Sequence, residues 1–258
     1  MKNAPATKYL LLRGLTREQR HWGPFLSQFK DKFGADNVFC LDHVGVGTEA
    51  SRPPLYSVEG MALDLRARWL DLKGSDTSPW VIVSLSMGSM VSLYWCAAFA
   101  DDFAAQVIMN VSSSTDSRFW NRLLLENLTI IAKMVRASDD QLRERNVLDM
   151  CSNLLSDDEK DRLAREWAAI CMPKDQVRKV AIAQLWASVR FHRPKKMTVR
   201  TLALASAADR LVHPSCTISL AAALDLALEV HPTAGHELSL DDPAWVVEQI
   251  ASFIKSTN

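Results

Sequence analysis

Two periodicities divide the chain. Runs that are apolar at nearly every position fall at residues 8–12, 38–41, 80–83, 105–111, 201–205 and 226–230. Such runs predict strands covered on both faces, because a strand wet on one face would alternate. Between several of them, apolar residues recur at every third or fourth position, the helical spacing. Phe25, Leu26, Phe29 and Phe33 lie between Pro24 and Gly34, a proline that opens a helix and a glycine that closes it. Val58, Met61, Ala62, Leu65 and Trp69 follow Ser57. Met90, Val91, Tyr94 and Trp95 belong to a run that starts at Met87 and reaches the neighbourhood of Ala100. Ala244, Val247, Ile250 and Phe253 follow Asp241-Asp242-Pro243. Strands alternating with helices imply a mostly parallel sheet of six strands with helices on both faces.

The alternation stops between 112 and 198. No strand pattern is found there, but helix starts recur. Ser138-Asp139-Asp140-Gln141 and Ser156-Asp157-Asp158-Glu159 both fit the capping box. Asp175 precedes an amphipathic run (Val177, Val180, Ala181, Leu185, Val189) that stops before Pro194. Residues 119–135 are apolar over more than one helical face. Structureless loops of this length are rare, so the reading is an all-helical lid at 112–198 inserted into a core made of 1–111 and 199–258.

Composition narrows the function classes. Thirty basic and thirty acidic residues leave no net charge, which removes the electrostatic footprint of a nucleic-acid binder. No run is long enough to cross a membrane, and the apolar stretch at 9–12 is too short for a signal peptide. Five scattered cysteines without C-x-x-C spacing read as reduced thiols in a cytoplasmic protein. The expected partner is a small molecule, with no nucleic acid and no membrane; oligomeric state is not legible.

The chemistry centres on Ser84-Leu85-Ser86-Met87-Gly88, where strand gives way to helix. A sharp turn here lifts the central hydroxyl clear of the sheet, and small flanking residues let the backbone pass close by. This is the nucleophile-elbow pattern with Ser84 in place of its first glycine. Three further segments stand in register with it: Asp42-His43-Val44-Gly45-Val46-Gly47-Thr48, Ser206-Ala207-Ala208-Asp209-Arg210-Leu211-Val212-His213-Pro214, and Gly235-His236-Glu237. Together the four resemble the α/β-hydrolase superfamily over nearly the whole chain. The resemblance implies Ser86 as nucleophile, His236 as base and Asp209 as acid, in the family's chain order. It also implies an oxyanion hole from the backbone N–H groups of Met87 and Leu15, and no metal or organic cofactor. Arg13-Gly14 stands where relatives usually carry His-Gly, and the family's N-terminal hairpin is expected to be missing.

Alternatives stay open at several positions. His231 competes with His236 for the base, and Asp116 with Asp209 for the acid. Arg13 is either a cation facing a substrate carboxylate or phosphate, or a locally paired structural residue. His21 and Trp22 line a pocket mouth or belong to a solvated loop. Asp42 and His43 are expected to stabilise their own loop, and His192 and His213 to lie at the surface. Phe119, Trp120, Leu124, Leu128, Trp186 and Phe191 either wall an acyl pocket or form the insertion's own core. The expected activity is hydrolysis of an ester or thioester of a small to medium acyl compound through an acyl-enzyme. The alternatives are a carbon–carbon bond hydrolase or cofactor-free perhydrolase using the same three residues, and a non-catalytic protein that binds a small molecule or partner.

Overall fold

In the computed structural model, which describes residues 6–123 and 139–256, six strands form one fully parallel sheet. They are β1 (Lys8–Leu12), β2 (Val38–Cys40), β3 (Trp80–Leu85), β4 (Ala105–Met109), β5 (Arg200–Ser206) and β6 (Ala227–His231). Their order is β2-β1-β3-β4-β5-β6, with every neighbouring pair parallel. From β1 the chain steps outward to β2, then crosses back to β3 and continues to β6. The order therefore reverses between β1 and β3, and such a switch point opens a crevice at the carboxyl ends of the strands.

Successive side chains feed two cores. Leu10, Leu12, Ile82, Ile108 and Ala203 pack with α2 (Val58–Lys73), α3 (Met87–Ala98) and, beyond β5, the helix at Ser215–Leu224. Tyr9, Leu11, Val81, Val83, Val107, Leu202 and Leu204 pack instead with α1 (Pro24–Phe33) and the last helix, Pro243–Lys255. Trp69, Trp80 and Trp95 are almost wholly buried on the first face and meet edge to face. Burying such a side chain is worth about 1.5–3 kcal/mol.

Several boundaries differ from the sequence reading, each for a local reason. β3 runs on to Leu85 because its ladders continue, Leu12 opposite Ser84 and Leu85 opposite Met109. β4 stops at Met109 because Asn110 turns into positive φ. β6 begins at Ala227, since Leu226 N–H still closes the preceding helix on Ala221 O.

Between β4 and β5 lie α4 (Phe119–Arg122), α5 (Asp140–Cys151), α6 (Asp157–Ala168) and α7 (Lys174–Arg190), with no strand among the described residues. The last three helices after β5 are α8 (Ser215–Leu224), α9 (Leu238–Asp241) and α10 (Pro243–Lys255). The Ser156/Glu159 capping box forms. Asp139 caps α5 by accepting the Leu142 N–H; Ser138 lies outside the described residues. Leu148, Leu163, Ala164 and Trp167 cluster with Leu240 of α9, and Ala187 and Phe191 join the first sheet core. The described helices of this segment thus pack against α9 through α5 and α6, and onto the sheet core through α7 and Phe191. Among the described residues no helix is long and apolar enough to cross a membrane.

Candidate active site

The residues proposed for chemistry lie beyond the carboxyl ends of the strands. Leu15 follows β1, Ser86 follows β3, Asp209 follows β5 and His236 follows β6. Ser86 sits at φ 55°, ψ −120°, a conformation an L-residue holds only when its surroundings enforce it. The enforcement is visible. A Cβ on Gly88 would lie 2.5 Å from Arg13 O and 2.7 Å from Leu12 O, so only glycine lets α3 start against the end of β1. One on Gly14 would come within 3.2 Å of Ser86 Cβ, so the loop after β1 passes directly over the serine. Ser84 keeps the turn because its hydroxyl is absorbed by the interior, 2.8 Å from Ser92 Oγ and 3.1 Å from Val107 O.

Ser86 Oγ lies 2.9 Å from His236 Nε2, and His236 Nδ1 lies 2.7 Å from Asp209 Oδ2. Nδ1 therefore carries the proton shared with the carboxylate, and the Nε2 lone pair faces the hydroxyl. The other oxygen of Asp209 accepts the Leu211 and Val212 N–H groups at 2.8 and 3.0 Å. Burial by itself pulls the His236 pKa down. The charge and hydrogen bond of Asp209, with Glu237 nearby, outweigh it, and the net shift is upward. Among the described residues neither the Leu15 nor the Met87 N–H donates to a protein acceptor. Both lie in segments that adjoin Ser86.

The competing assignments fall elsewhere. Asp116 is bound by Arg193 Nε at 2.7 and 2.8 Å. His231 Nδ1 accepts the Ala234 N–H at 2.9 Å while Nε2 pairs with Asp242 at 3.2 Å, so it braces the turn leading to His236. His43 Nε2 donates to Arg13 O at 3.1 Å, and burial pushes its pKa down to about 4. Asp42 accepts the Gln19 and Thr48 N–H groups at 2.8 and 2.9 Å. Both residues hold loops, while His192 and His213 are exposed.

The substrate-facing readings of Arg13, His21, Trp22, Phe119, Trp120, Trp186 and Phe191 are corrected. Arg13 is buried, its Nη2 donating to both oxygens of Glu237 at 2.9 and 3.0 Å, with the guanidinium 4.7 Å from the Trp22 ring. It spends its charge inside the protein and faces no substrate. Trp22 is completely buried beneath it. His21 is buried too, edge-on to Trp167; burial, with Arg17 and Arg13 nearby, holds it well below the ordinary histidine value. Trp120 and Trp186 point outward, 41% and 52% exposed and stacked with Arg118 and Arg190. Phe119 is also outside, whereas Phe191 is in the core. Leu124 and Leu128 lie outside the described residues.

Two contributors went unread in the sequence. Asn110, at φ 46°, donates to His236 O at 2.9 Å and to Ser206 Oγ at 3.0 Å, while its oxygen accepts the Ser206 N–H at 2.9 Å. It ties the His236 loop to the ends of β4 and β5. Glu237, the residue after His236, ties that loop to the end of β1 through its ion pair with Arg13. A buried polar residue directly after an apolar strand was the one available signal for Asn110.

The comparisons agree with this architecture. The model of the "Alpha/beta hydrolase family" matches residues 9–249. The chain belongs to that family, and the protein is a hydrolase. A solved meta-cleavage product hydrolase from Pseudomonas fluorescens IP01 superposes with a TM-score of 0.78 at 17% identity, over 99% of this chain and 92% of that one. A Burkholderia cenocepacia protein provisionally classed as an aryl esterase gives 0.74 at 21% identity, over 97% and 90%. A lipase-esterase related protein from Clostridium acetobutylicum gives 0.69 at 16%, over 98% and 96%. Identities this low speak for the shared fold. A comparison with curated proteins gives no match.

Proposed function

We propose that the protein is a serine hydrolase that cleaves an ester or thioester of a small to medium acyl compound through an acyl-enzyme. The observation that carries the reading is His236 bridging Ser86 and Asp209 at 2.9 and 2.7 Å. Ser86 Oγ attacks the carbonyl carbon as its proton passes to His236 Nε2. The tetrahedral oxyanion is held by the Leu15 and Met87 N–H groups. Collapse breaks the bond to the leaving group, which takes the proton from His236 and departs as an alcohol or thiol. Water then loses a proton to His236, attacks the acyl carbon and releases the acid, and the proton returns to Ser86. Asp209 stays ionised throughout and stabilises the imidazolium. The helical segment at 112–198 is read as the lid over this site.

A second reading uses the same three residues on a carbon–carbon bond, favoured by the likeness to a meta-cleavage product hydrolase. Turnover of p-nitrophenyl esters and acyl thioesters of graded chain length, measured beside a vinylogous 1,5-diketone, separates the two. Ester or thioester turnover that vanishes in Ser86→Ala supports the first. Diketone turnover with none on esters overturns it in favour of the second.

A further inference from the structure

Thr16, the residue after Leu15, has φ 58°, a conformation that a β-branched residue adopts only under constraint. Its N–H donates to Gln184 Oε1 at 2.6 Å. Gln184 lies on α7, between β4 and β5, and is 1% exposed. Because a backbone N–H can only donate, this bond fixes which way the amide faces. The Nε2 end is buried and has no partner among the described residues. Burying an amide with one end unsatisfied is costly, and an apolar side chain in the same space would avoid that cost. The neighbours of Gln184 on the same inner face, Val180, Ala183 and Ala187, are apolar. Among the described residues, the one hydrogen bond that uses the amide is therefore that to Thr16.

The helix that carries this contact is itself seated on the core. A Cβ on Gly45 would lie 2.9 Å from Val180 Cγ2, and Gln176 Nε2 donates to Gly45 O at 3.4 Å. Ala187 packs in the sheet core. On the other side of the contact, Gly14 rests against Ser86, and the Thr16 hydroxyl is turned back onto Leu15 O at 2.7 Å. The segment from Gly14 to Thr16 is thus held between the serine and α7.

We propose that Gln184 is a positioning residue for the oxyanion hole: by accepting the Thr16 N–H it holds the left-handed turn after Leu15 and so aims the Leu15 N–H. The inserted helices then contribute to the geometry of the loop after β1, beside the bonds the core makes to it through His43, Asp42 and the Arg17 N–H on Gly14 O. The proposal rests on the reading of Leu15 as an oxyanion donor.

The test compares wild type with Gln184→Met, which keeps the volume and loses the acceptor, and Gln184→Glu, which keeps an acceptor at the same reach. The readouts are kcat and KM on p-nitrophenyl acetate, the inhibition constant of a phenylboronic acid, and amide hydrogen exchange across 13–18 and, as a control, across 24–33. Gln184→Met is expected to lose kcat by about 10–100-fold, the scale of a misplaced or missing oxyanion donor. KM should stay within about threefold, since ground-state binding is untouched. Boronate affinity should fall with kcat, and exchange should rise across 13–18 but not across 24–33. Gln184→Glu should keep 13–18 protected. Unchanged kcat in Gln184→Met, a loss carried wholly by KM, or equal loss of protection in both variants would overturn the proposal. A wild type that turns over no ester and leaves Ser86 unlabelled by a fluorophosphonate would overturn the hydrolase reading as well. An active wild type with an unaltered Gln184→Met removes only the role of Gln184.

Discussion

Arg13 and Glu237 form a buried ion pair that joins the loop after β1 to the residue following the proposed base. Nη2 reaches both carboxylate oxygens, at 2.9 and 3.0 Å, while Nε and Nη1 have no hydrogen-bond partner among the described residues. The guanidinium is thus already poorly satisfied, and among the described residues Glu237 supplies its only counter-charge in direct contact. Removing the carboxylate strands a cation in the interior. Glu237→Ala is expected to cost about 3–5 kcal/mol in urea denaturation, whereas replacing both partners in Arg13→Met/Glu237→Leu should cost clearly less. Equal losses in the single and double variants would contradict the pairing.

The upward shift of the His236 pKa sets the pH dependence. The proposed mechanism needs neutral His236, so kcat/KM should fall on the acid side through a value above the ordinary 6.5. Asp209→Asn removes the main raising influence. The acid limb should move to lower pH, and kcat should fall by on the order of 10⁴, as for the corresponding change in other triads. The same shift has a stability consequence. A raised folded pKa stabilises fully below the unfolded value and loses that contribution as pH rises through the folded value. The stability gap between wild type and Asp209→Asn should therefore be wider near about pH 6 than near about pH 9. A constant gap would show that the pair is not coupled as described.

The two small positions of the elbow should behave oppositely. At Gly88 the atoms a Cβ would meet are backbone oxygens of Arg13 and Leu12, which have little room to move. Gly88→Ala should lower the rate of Ser86 acylation by about a hundredfold or more, because the elbow shifts against the oxyanion loop. At Ser84 the hydroxyl only bonds inward to Ser92 and Val107. Ser84→Gly should cost about 1–2 kcal/mol of stability and leave kcat within about threefold. Stopped-flow acylation and thermal unfolding report both.

The competing acid candidate provides a control. Asp116 is held by Arg193 at 2.7 and 2.8 Å, away from the chain of contacts that ends at Ser86. Asp116→Asn should leave kcat/KM within about threefold, in contrast to Asp209→Asn. A loss comparable with that of Asp209→Asn would reverse the assignment.

What was legible in the sequence was what local backbone rules dictate. Consecutive apolar residues marked all six strands, and the turn chemistry around Ser86, Asp209 and His236 marked three loops at strand ends. Arg13 was left open because its pairing with Glu237 spans nearly the whole chain, and only the parallel sheet brings the carboxyl ends of β1 and β6 to the same end of the sheet. Asn110 and Gln184 escaped for the same reason: a polar residue next to an apolar run does not reveal which distant backbone group it serves. Trp120 and Trp186 were misplaced because apolar helical patterning does not tell which neighbour a residue meets, and Trp22 because a loop position gives no sign of burial. Trp22 lies under Arg13, and the other two tryptophans stack on arginines at the surface.

The most direct test of the central claim is labelling with a fluorophosphonate probe, the modified peptide being mapped by mass spectrometry in wild type, His236→Ala and His231→Ala. The account predicts rapid modification of Ser86 in wild type and in folded His231→Ala, and its collapse in His236→Ala. Folded wild type that resists the probe, or labelling of Ser86 that survives His236→Ala, would contradict it.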